Sequence, residues 1–501
     1  RRPWEQGDSE GQGMNKAKVI KSLIYKFIER FSVKSIGLVI SIIQARLLAP
    51  EVFGQLSLLL VFTDLSLTVV DGGLNSALVQ SKEVKERDYS TVFIITLGLT
   101  AVMIVLLYFA APLIAGYYQS PALIMPLRIY SLSMFFSAFN SIQVARMQRE
   151  MRFREMMYCS LAATLTAGTL GIAMAYKGAG LWALVGYYFS HIAVTCIAMF
   201  CTDRWIPRGK FSKDSAKRLY GFGIKMLASS MITTIYNDIR PLIIGKKFST
   251  ADLGYYERGQ RFSTTVSRNL DTAVQSVMFP VMAQAQDDKK QVRAMLRRAQ
   301  TMGEFVIFPA MVGMAAVAEP MVRLLLTEKW MPCVIFVQVL CIAEMQTPIT
   351  SANLVAVKAL GRSDILMKQE LLRRTLMIIV LLITVFVFNS VEAIVYGFLF
   401  SAWLDAIITS MPVKQLLDYG FADQAKDMWR CALAAVIMGA AVAALNLLNI
   451  PDAAKLVIQI ITGAAVYVSA CAALKVESFT YILNMLKKHK DAKKASSPDA
   501  E

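Results

Sequence analysis

Residues Leu253–Phe279 read LGYYERGQRFSTTVSRNLDTAVQSVMF. Steps of three and four from Arg258 lead to Arg261, Thr265, Arg268, Thr272 and Gln275, a continuous polar stripe along one face of an α-helix. Another face carries Phe262, Val266, Leu270, Val277 and Phe279, suited to lipid or to packed neighbours. Soluble amphipathic helices share this pattern, so its meaning depends on what surrounds it.

What surrounds it is apolar. The chain has 501 residues, 56% of them hydrophobic and 18% charged, and a mean hydropathy of +0.49. Ordinary soluble proteins carry about 25% charged residues, and ~20 consecutive apolar residues span a bilayer as a helix. Blocks such as Phe93–Ala111, Leu376–Phe388 and Leu433–Leu448 recur from end to end, with short polar connectors between them. The expected fold is therefore all-α: a polytopic membrane protein of about fourteen transmembrane helices. The first is expected at 30–49, the seventh and eighth at 219–245 and 252–284, and the last two at 429–449 and 453–474. The net charge of +17 would suggest nucleic acid in a soluble protein; in a membrane protein it reflects Lys and Arg gathered in cytoplasmic loops, and no nucleic-acid partner is expected. Seven cysteines stand scattered in apolar runs without a CxxC pair and read as buried small hydrophobes. With only His191 and His489, no metal site is expected, and nothing calls for a cofactor.

Residues 1–13 (RRPWEQGDSEGQG) lack an apolar core and read as a non-native or disordered extension, with Met14 as the natural start. Residues 14–29 carry Lys16, Lys18, Lys21 and Lys26 and suit a helix lying on the membrane surface. Basic residues fall in alternate connectors, among them Arg146, Arg149, Arg152 and Arg154, then Lys289, Lys290, Arg293, Arg297 and Arg298. That alternation puts both termini in the cytoplasm. An internal repeat lies at an offset of 200 residues. ARLLAPEVFGQ (Ala45–Gln55) matches GKKFSTADLGY (Gly245–Tyr255), pairing Arg46 with Lys246 and Gly54 with Gly254. The expected organisation is an N-lobe over 14–218, holding the interfacial helix and spans one to six, and a C-lobe over 219–428 with spans seven to twelve. Two additional helices follow over 429–474, and then a basic tail over 475–501.

On that map the opening stripe lies inside the membrane, with others for company. The first span aligns Arg30, Lys34, Gly37, Ser41 and Gln44; the second aligns Ser57, Asp64, Thr68, Asp71 and Asn75; the seventh aligns Ser230, Thr233, Asn237 and Arg240, beside Tyr236 and Asp238. Ionisable groups at mid-membrane cost ~2.5–3.5 kcal/mol each on insertion scales, so such faces are expected to turn to a wet interior. Four of them together would line a solvated cavity between the lobes. Arg261 and Arg268 are roughly 10 Å apart along the helix. Guanidinium groups hold phosphate with paired hydrogen bonds and stay charged, which suits a phosphorylated anion. The candidate substrate contacts are Arg30, Lys34, Arg240, Arg261 and Arg268, with Asn237 and Gln275; Asp64, Asp71 and Asp271 are candidates for ion coupling or charge pairing. A structural reading stands beside this: Arg268 and Asp271 pairing on one helix, and Arg30, Lys34 or Arg240 snorkelling to an interface. Trp330 of TEKW reads as an interfacial anchor. Tyr236, Tyr255 and Tyr256 suit either an interfacial belt or stacking on sugar rings. No GxxxxGK[ST] loop is present, and Gly72–Leu78 reads as helix packing.

Several stretches together resemble a known family. They are PEVFG (50–54), DGGLNSALVQ (71–80), IIGKKFSTADLGYYERGQRF (243–262), FPVMAQAQDD (279–288) and LLLTEKW (324–330). In this order they are similar to the polysaccharide-exporter branch of the multidrug/oligosaccharidyl-lipid/polysaccharide (MOP) superfamily, in particular Wzx-type flippases of the colanic-acid-exporter kind. The resemblance runs from about Met14 to Leu474 and is most specific across Leu227–Asp288. It implies a flippase, not an enzyme, in the bacterial inner membrane. Its cargo would be an undecaprenyl-pyrophosphate-linked oligosaccharide, moved by alternating access through a cationic central cavity. Proton or sodium coupling and polysaccharide-assembly partners are also implied. A multidrug or organic-cation antiporter of the related fold would need an acid-dominated cavity. A membrane glycosyltransferase or polymerase would need a larger extramembrane part with catalytic carboxylates. A non-transporting scaffold would leave the aligned stripes without a purpose.

Overall fold

The computed structural model describes residues 16–74, 78, 85–206, 209 and 211–485. Every regular element among them is helical, as the apolar blocks predict. In chain order these are α1 (Lys16–Leu47), α2 (Pro50–Asp71), α3 (Glu86–Tyr117), α4 (Ile124–Ser131), α5 (Ser133–Arg149), α6 (Phe153–Tyr176), α7 (Leu181–Asp203), α8 (Lys213–Lys247) and α9 (Thr250–Gln284). There follow α10 (Lys289–Ala316), α11 (Ala318–Leu326), α12 (Cys333–Glu344), α13 (Thr347–Ala359), α14 (Ser363–Ile383), α15 (Val391–Leu417), α16 (Phe421–Ala444) and α17 (Asp452–Ala473).

Ten helical segments among the described residues are long and apolar enough to cross a membrane. An eleventh joins them if α10 and α11, bent by 69° at their junction, count as one. The protein is a multi-pass membrane protein. Helices α1, α8 and α9 have the length, at 32, 35 and 35 residues, but carry the charged stripes, so length and composition do not establish the count of fourteen. Large apolar side chains point away from the protein, Leu113 at 77% and Phe386 at 75% exposure among them, as expected where acyl chains replace water.

Several boundaries differ from the sequence reading. The surface helix and the first span are one helix, α1, whose backbone runs unbroken from Lys16 to Leu47. The side chains of its first half, Arg30 included, lie outside the described residues, as do residues 1–15, Asn75 and the basic tail from 486. Helix α2 stops at Asp71, whereas the sequence predicts the second span over 54–80. Gly72 takes a left-handed conformation (φ +52°) and its N–H closes on the Thr68 carbonyl, which ends the helix. The span expected from the sequence over 331–357 is broken into α12 and α13, with Pro348 in the first turn of the latter. Two other helices start on side-chain caps. Asp288 caps α10 by accepting from the N–H groups of Lys290 and Gln291 at 2.9 and 3.1 Å, and Ser390 caps α15 by accepting from Ala393 N–H at 3.0 Å. Six of the seven cysteines are buried and Cys201 is exposed.

The helices form two compact units, one through Leu253 and one from Gly254 onward. In the first, α1 and α7 pack on α6, α5 packs on α7, and α8 packs along α2. In the second, α10 packs on α16, α16 on α17, and α15 is flanked by α12, α13 and α14. The end of α9 meets the start of α10 and the ends of α13 and α15 in a core built on Met282, Val292, Leu296, Val355 and Leu417. The two ends of the 200-residue repeat share their boundaries. The α1–α2 break falls at 47/50 and the α8–α9 break at 247/250.

Candidate functional site

Helix α9 carries the opening stripe, and its burial pattern shows how. The side packed into the second unit is Tyr256, Gly259, Ser263 and Ser267. A Cβ at Gly259 would lie 2.7 Å from Phe336 Cβ, so glycine sets the approach of α9 to α12. The spacing Gly259-xxx-Ser263-xxx-Ser267 is the small-residue seam by which membrane helices come close, a signal present in the sequence but not read from it. The opposite side exposes Arg261, Thr265, Arg268 and Gln275. Most of the predicted stripe is thus a ridge off the packed face.

Arg258, at the head of the stripe, is different. It is 5% exposed, and its guanidinium lies 5.2 Å from the centre of the Trp330 ring. Trp330 is fully buried, not an interfacial anchor, with Tyr255 edge-on at 6.0 Å and the Tyr255 hydroxyl donating to the Lys329 carbonyl at 3.2 Å. The buried indole is the flat surface on which a desolvated guanidinium can rest. Tyr256 is also fully buried and is withdrawn from any role in stacking on sugars.

Arg268 and Asp271 do not pair. Asp271 accepts from both the Ser351 hydroxyl of α13 and the Gln275 amide, the latter at 3.0 Å to each oxygen. Arg268 forms no ion pair among the described residues. The carboxylate therefore fixes Gln275 and ties α9 to α13, while the exposed guanidinium keeps its full donor set.

In the first unit, Lys34 is exposed on α1. The rest of that polar face is not open: Ser41 and Gln44 are buried, and α1 lies against α6, with Ile40 at Gly168 and Gln44 at Gly171. Arg240 of α8 is 8% exposed, donates to the Tyr236 hydroxyl at 2.8 Å and sits 5.2 Å from that ring. Asn237, one turn earlier, is exposed. The Thr68 and Thr234 hydroxyls meet at 3.2 Å across α2 and α8. These helices run antiparallel, with Gly73 against Met226 and Gly245 against Leu58. One turn from the threonine contact, that register sets Asp64 level with Asp238, whose Oδ2 is buried without a hydrogen-bond partner. Asp238 as the counterpart of Asp64 was not evident from the stripes, because it sits one position off the Asn237 face. Asp71 ends α2.

The arrangement provides guanidinium donors on an exposed ridge of α9 and, separately, a carboxylate pair at one level of α2 and α8. A model of the polysaccharide biosynthesis protein family matches residues 43–335. The chain belongs to this family. It is 25% identical over 288 residues to the succinoglycan biosynthesis transport protein ExoT of Rhizobium meliloti, an alignment covering 58% of each chain. It is 23% identical over 415 residues to the lipopolysaccharide biosynthesis protein WzxC of Escherichia coli, covering 82% of this chain and 84% of the other. Among solved structures, the lipid II flippase MurJ in an inward closed conformation superposes with a TM-score of 0.70 at 15% identity, over 90% of this chain and 98% of MurJ. An inward-facing multidrug resistance MATE transporter of the MOP superfamily superposes at 0.58 and 15% identity, over 78% and 99%. This family member thus has the fold of the MOP superfamily.

Proposed function

We propose that this polysaccharide biosynthesis family member is a flippase for an undecaprenyl-pyrophosphate-linked oligosaccharide, the repeat unit of a surface polysaccharide. It works in the bacterial inner membrane by alternating access through a cationic cavity, with both termini in the cytoplasm. The observation that carries this reading is the exposed Arg261–Arg268 ridge on α9, with Arg268 outside any ion pair among the described residues. Two guanidiniums roughly 10 Å apart on one helix match a pyrophosphate with its first sugar. Asn237 and the amide oxygen of Gln275, whose N–H group Asp271 holds, add neutral partners for sugar hydroxyls, and Lys34 of α1 adds a further cation. The transport role of ExoT in succinoglycan biosynthesis and the lipid II cargo of MurJ support the same class of substrate. Asp64 and Asp238 are the pair suited to a coupling proton or sodium ion, whereas Asp271 serves to hold Gln275.

The test is flipping of a defined lipid-linked oligosaccharide in proteoliposomes, with and without an imposed proton or sodium gradient. Protein-dependent movement is expected, lost in Arg268→Ala, and Asp64→Asn with Asp238→Asn is expected to abolish its response to the gradient. Absence of flipping by well-folded protein under every gradient sinks the reading. Uptake of an organic cation by the same vesicles, dependent on Asp64 and Asp238, would instead favour the antiporter.

A further inference from the structure

A cavity of about 320 Å³ opens in the second unit, where α10 and α16 run side by side and the chain leaving α17 crosses them at residues 476–478. Its three cations and three carboxylates are not paired one to one. Arg297 donates to Asp427 at 2.7 and 3.0 Å and to Glu477 at 3.2 and 2.6 Å, so one guanidinium is saturated by two carboxylates. Three groups remain. Glu304, two turns along α10 from Arg297, is 2% exposed, and its Oε2 has no hydrogen-bond partner. Lys426 and Arg430, one turn apart on α16, make no ion pair among the described residues; Arg430 reaches the Lys475 carbonyl at 3.5 Å. Helices α10 and α16 are parallel, with Arg297 against Asp427 and, further along, Val312 against Gly439, which sets Glu304 close to the level of Cys431, next to Arg430. An orphaned carboxylate thus lines the inner wall, and two cations stand at the mouth beside the half-exposed Trp429.

We propose that this cavity binds a phosphoethanolamine group, its ammonium on Glu304 and its phosphate on Lys426 and Arg430. A buried carboxylate oxygen is costly unless a donor or cation meets it. A primary ammonium brings three N–H donors on a compact head, whereas a trimethylammonium brings none. Phosphate suits the guanidinium and ammonium at the mouth. The site lies within the first three turns of α16, and an indole beside basic residues at a helix end is the pattern of the headgroup layer, where this group is carried by phosphatidylethanolamine. The same chemistry exists in soluble phosphoethanolamine, so the experiment separates the two sources.

Purified full-length protein is exposed in mixed micelles to phosphatidylethanolamine, phosphatidylcholine or phosphatidylglycerol of identical acyl chains, and bound lipid is counted by native mass spectrometry. A parallel arm titrates soluble phosphoethanolamine. The wild type is expected to retain phosphatidylethanolamine at least tenfold over the other two lipids. Glu304→Gln, which keeps the shape, should bring it down to the phosphatidylglycerol level. Lys426→Ala with Arg430→Ala, at the mouth, should lower phosphatidylethanolamine and phosphatidylglycerol together. Glu304-dependent binding of soluble phosphoethanolamine alone would keep the group and assign its source to solution. Equal retention of phosphatidylethanolamine and phosphatidylcholine by the wild type, with no soluble binding, would overturn the proposal, as would a preference unchanged in Glu304→Gln.

Discussion

Gly54, in the second turn of α2, lies against the first residue of α9. A Cβ at Gly54 would stand 1.8 Å from the carbonyl oxygen of Thr250 and 2.7 Å from its carbonyl carbon. The obstacle is backbone, and it is pinned, because Ser249 N–H and hydroxyl both donate to Asp252 in the same turn. Gly54→Ala is therefore expected to destabilise the protein by at least the upper part of the ~1–3 kcal/mol typical of overpacking. Gly98, with nothing within 4 Å of its would-be Cβ, is the control: Gly98→Ala should be neutral or stabilising by up to ~1 kcal/mol. Thermal scans of both variants by fluorescence-detected size exclusion decide it. Equal midpoints would mean that the α2–α9 approach is looser than described.

Arg373 of α14 and Asp405 of α15 form a doubly hydrogen-bonded ion pair, with Nη2 donating at 2.7 Å to Oδ2 and Nε donating to Oδ1. Their side chains are 11% and 5% exposed. Asp405→Ala leaves the buried Arg373 with Glu370, at 3.1 Å, as a remaining counter-charge, so it should be destabilising but cost less than the ~3–5 kcal/mol of a fully stranded buried charge. Replacing both by apolar residues of similar volume, Arg373→Met with Asp405→Leu, should recover most of that loss. A double variant as unstable as the single one would show that the pair contributes through something other than mutual neutralisation. Thermal midpoints of the two variants against wild type provide the comparison.

Helix existence was legible because the bilayer demands long apolar runs, and both lipid-facing and core-facing sides of α3 or α15 satisfy that demand. The same fact hides which side packs. In a membrane helix, polarity no longer separates core from surface. Val277 of α9 is exposed while Ser263 and Ser267 are fully buried, the reverse of what a soluble amphipathic helix would show. The cue that survives is residue size, as in Gly259, Ser263 and Ser267. Trp330 misled for a related reason: aromatic residues near a span end usually mark the interface, yet this one sits under Arg258 and Tyr255. Asp405, Glu304 and Asn353 lie far in sequence from the groups they face, and no periodicity along one helix could reveal them. The repeat, by contrast, appears in matching helix boundaries, because short connections leave little room for drift.

Asn353 of α13 is fully buried and binds three residues from three helices. Its Oδ1 accepts from Gln300 and Gln424 at 2.9 and 3.1 Å, and its Nδ2 reaches Ser410 and Gln424 at 3.0 and 3.2 Å. Asn353→Leu fills the space but leaves two buried amides short of partners, at ~1–3 kcal/mol for each unsatisfied group. The expected result is a clear drop in thermal midpoint. A smaller loss is expected for Ser410→Ala, whose neighbours Asn353 and Gln424 still bond each other. Equal losses for the two variants would contradict the central position of Asn353.

Arg258 and Arg268 are ten residues apart on α9, yet they should fail in different ways. Arg258 is buried over Trp330, so Arg258→Ala removes packing and cation–π contact and is expected to lower the amount of folded protein in the membrane. Arg268 is exposed and outside any ion pair among the described residues, so Arg268→Ala should leave abundance within about twofold of wild type, the usual behaviour of a surface substitution. On the proposed function it should still abolish most surface-polysaccharide export. A charge-assisted hydrogen bond worth ~1.5–3 kcal/mol corresponds to roughly 10–100-fold in transport. Arg268→Lys keeps the charge but not the fork, and should retain part of the activity. Export measured in a flippase-deficient host, normalised to membrane abundance by immunoblot, separates the two outcomes. Full export by Arg268→Ala would remove this guanidinium from the mechanism, and undiminished abundance of Arg258→Ala would deny its structural role.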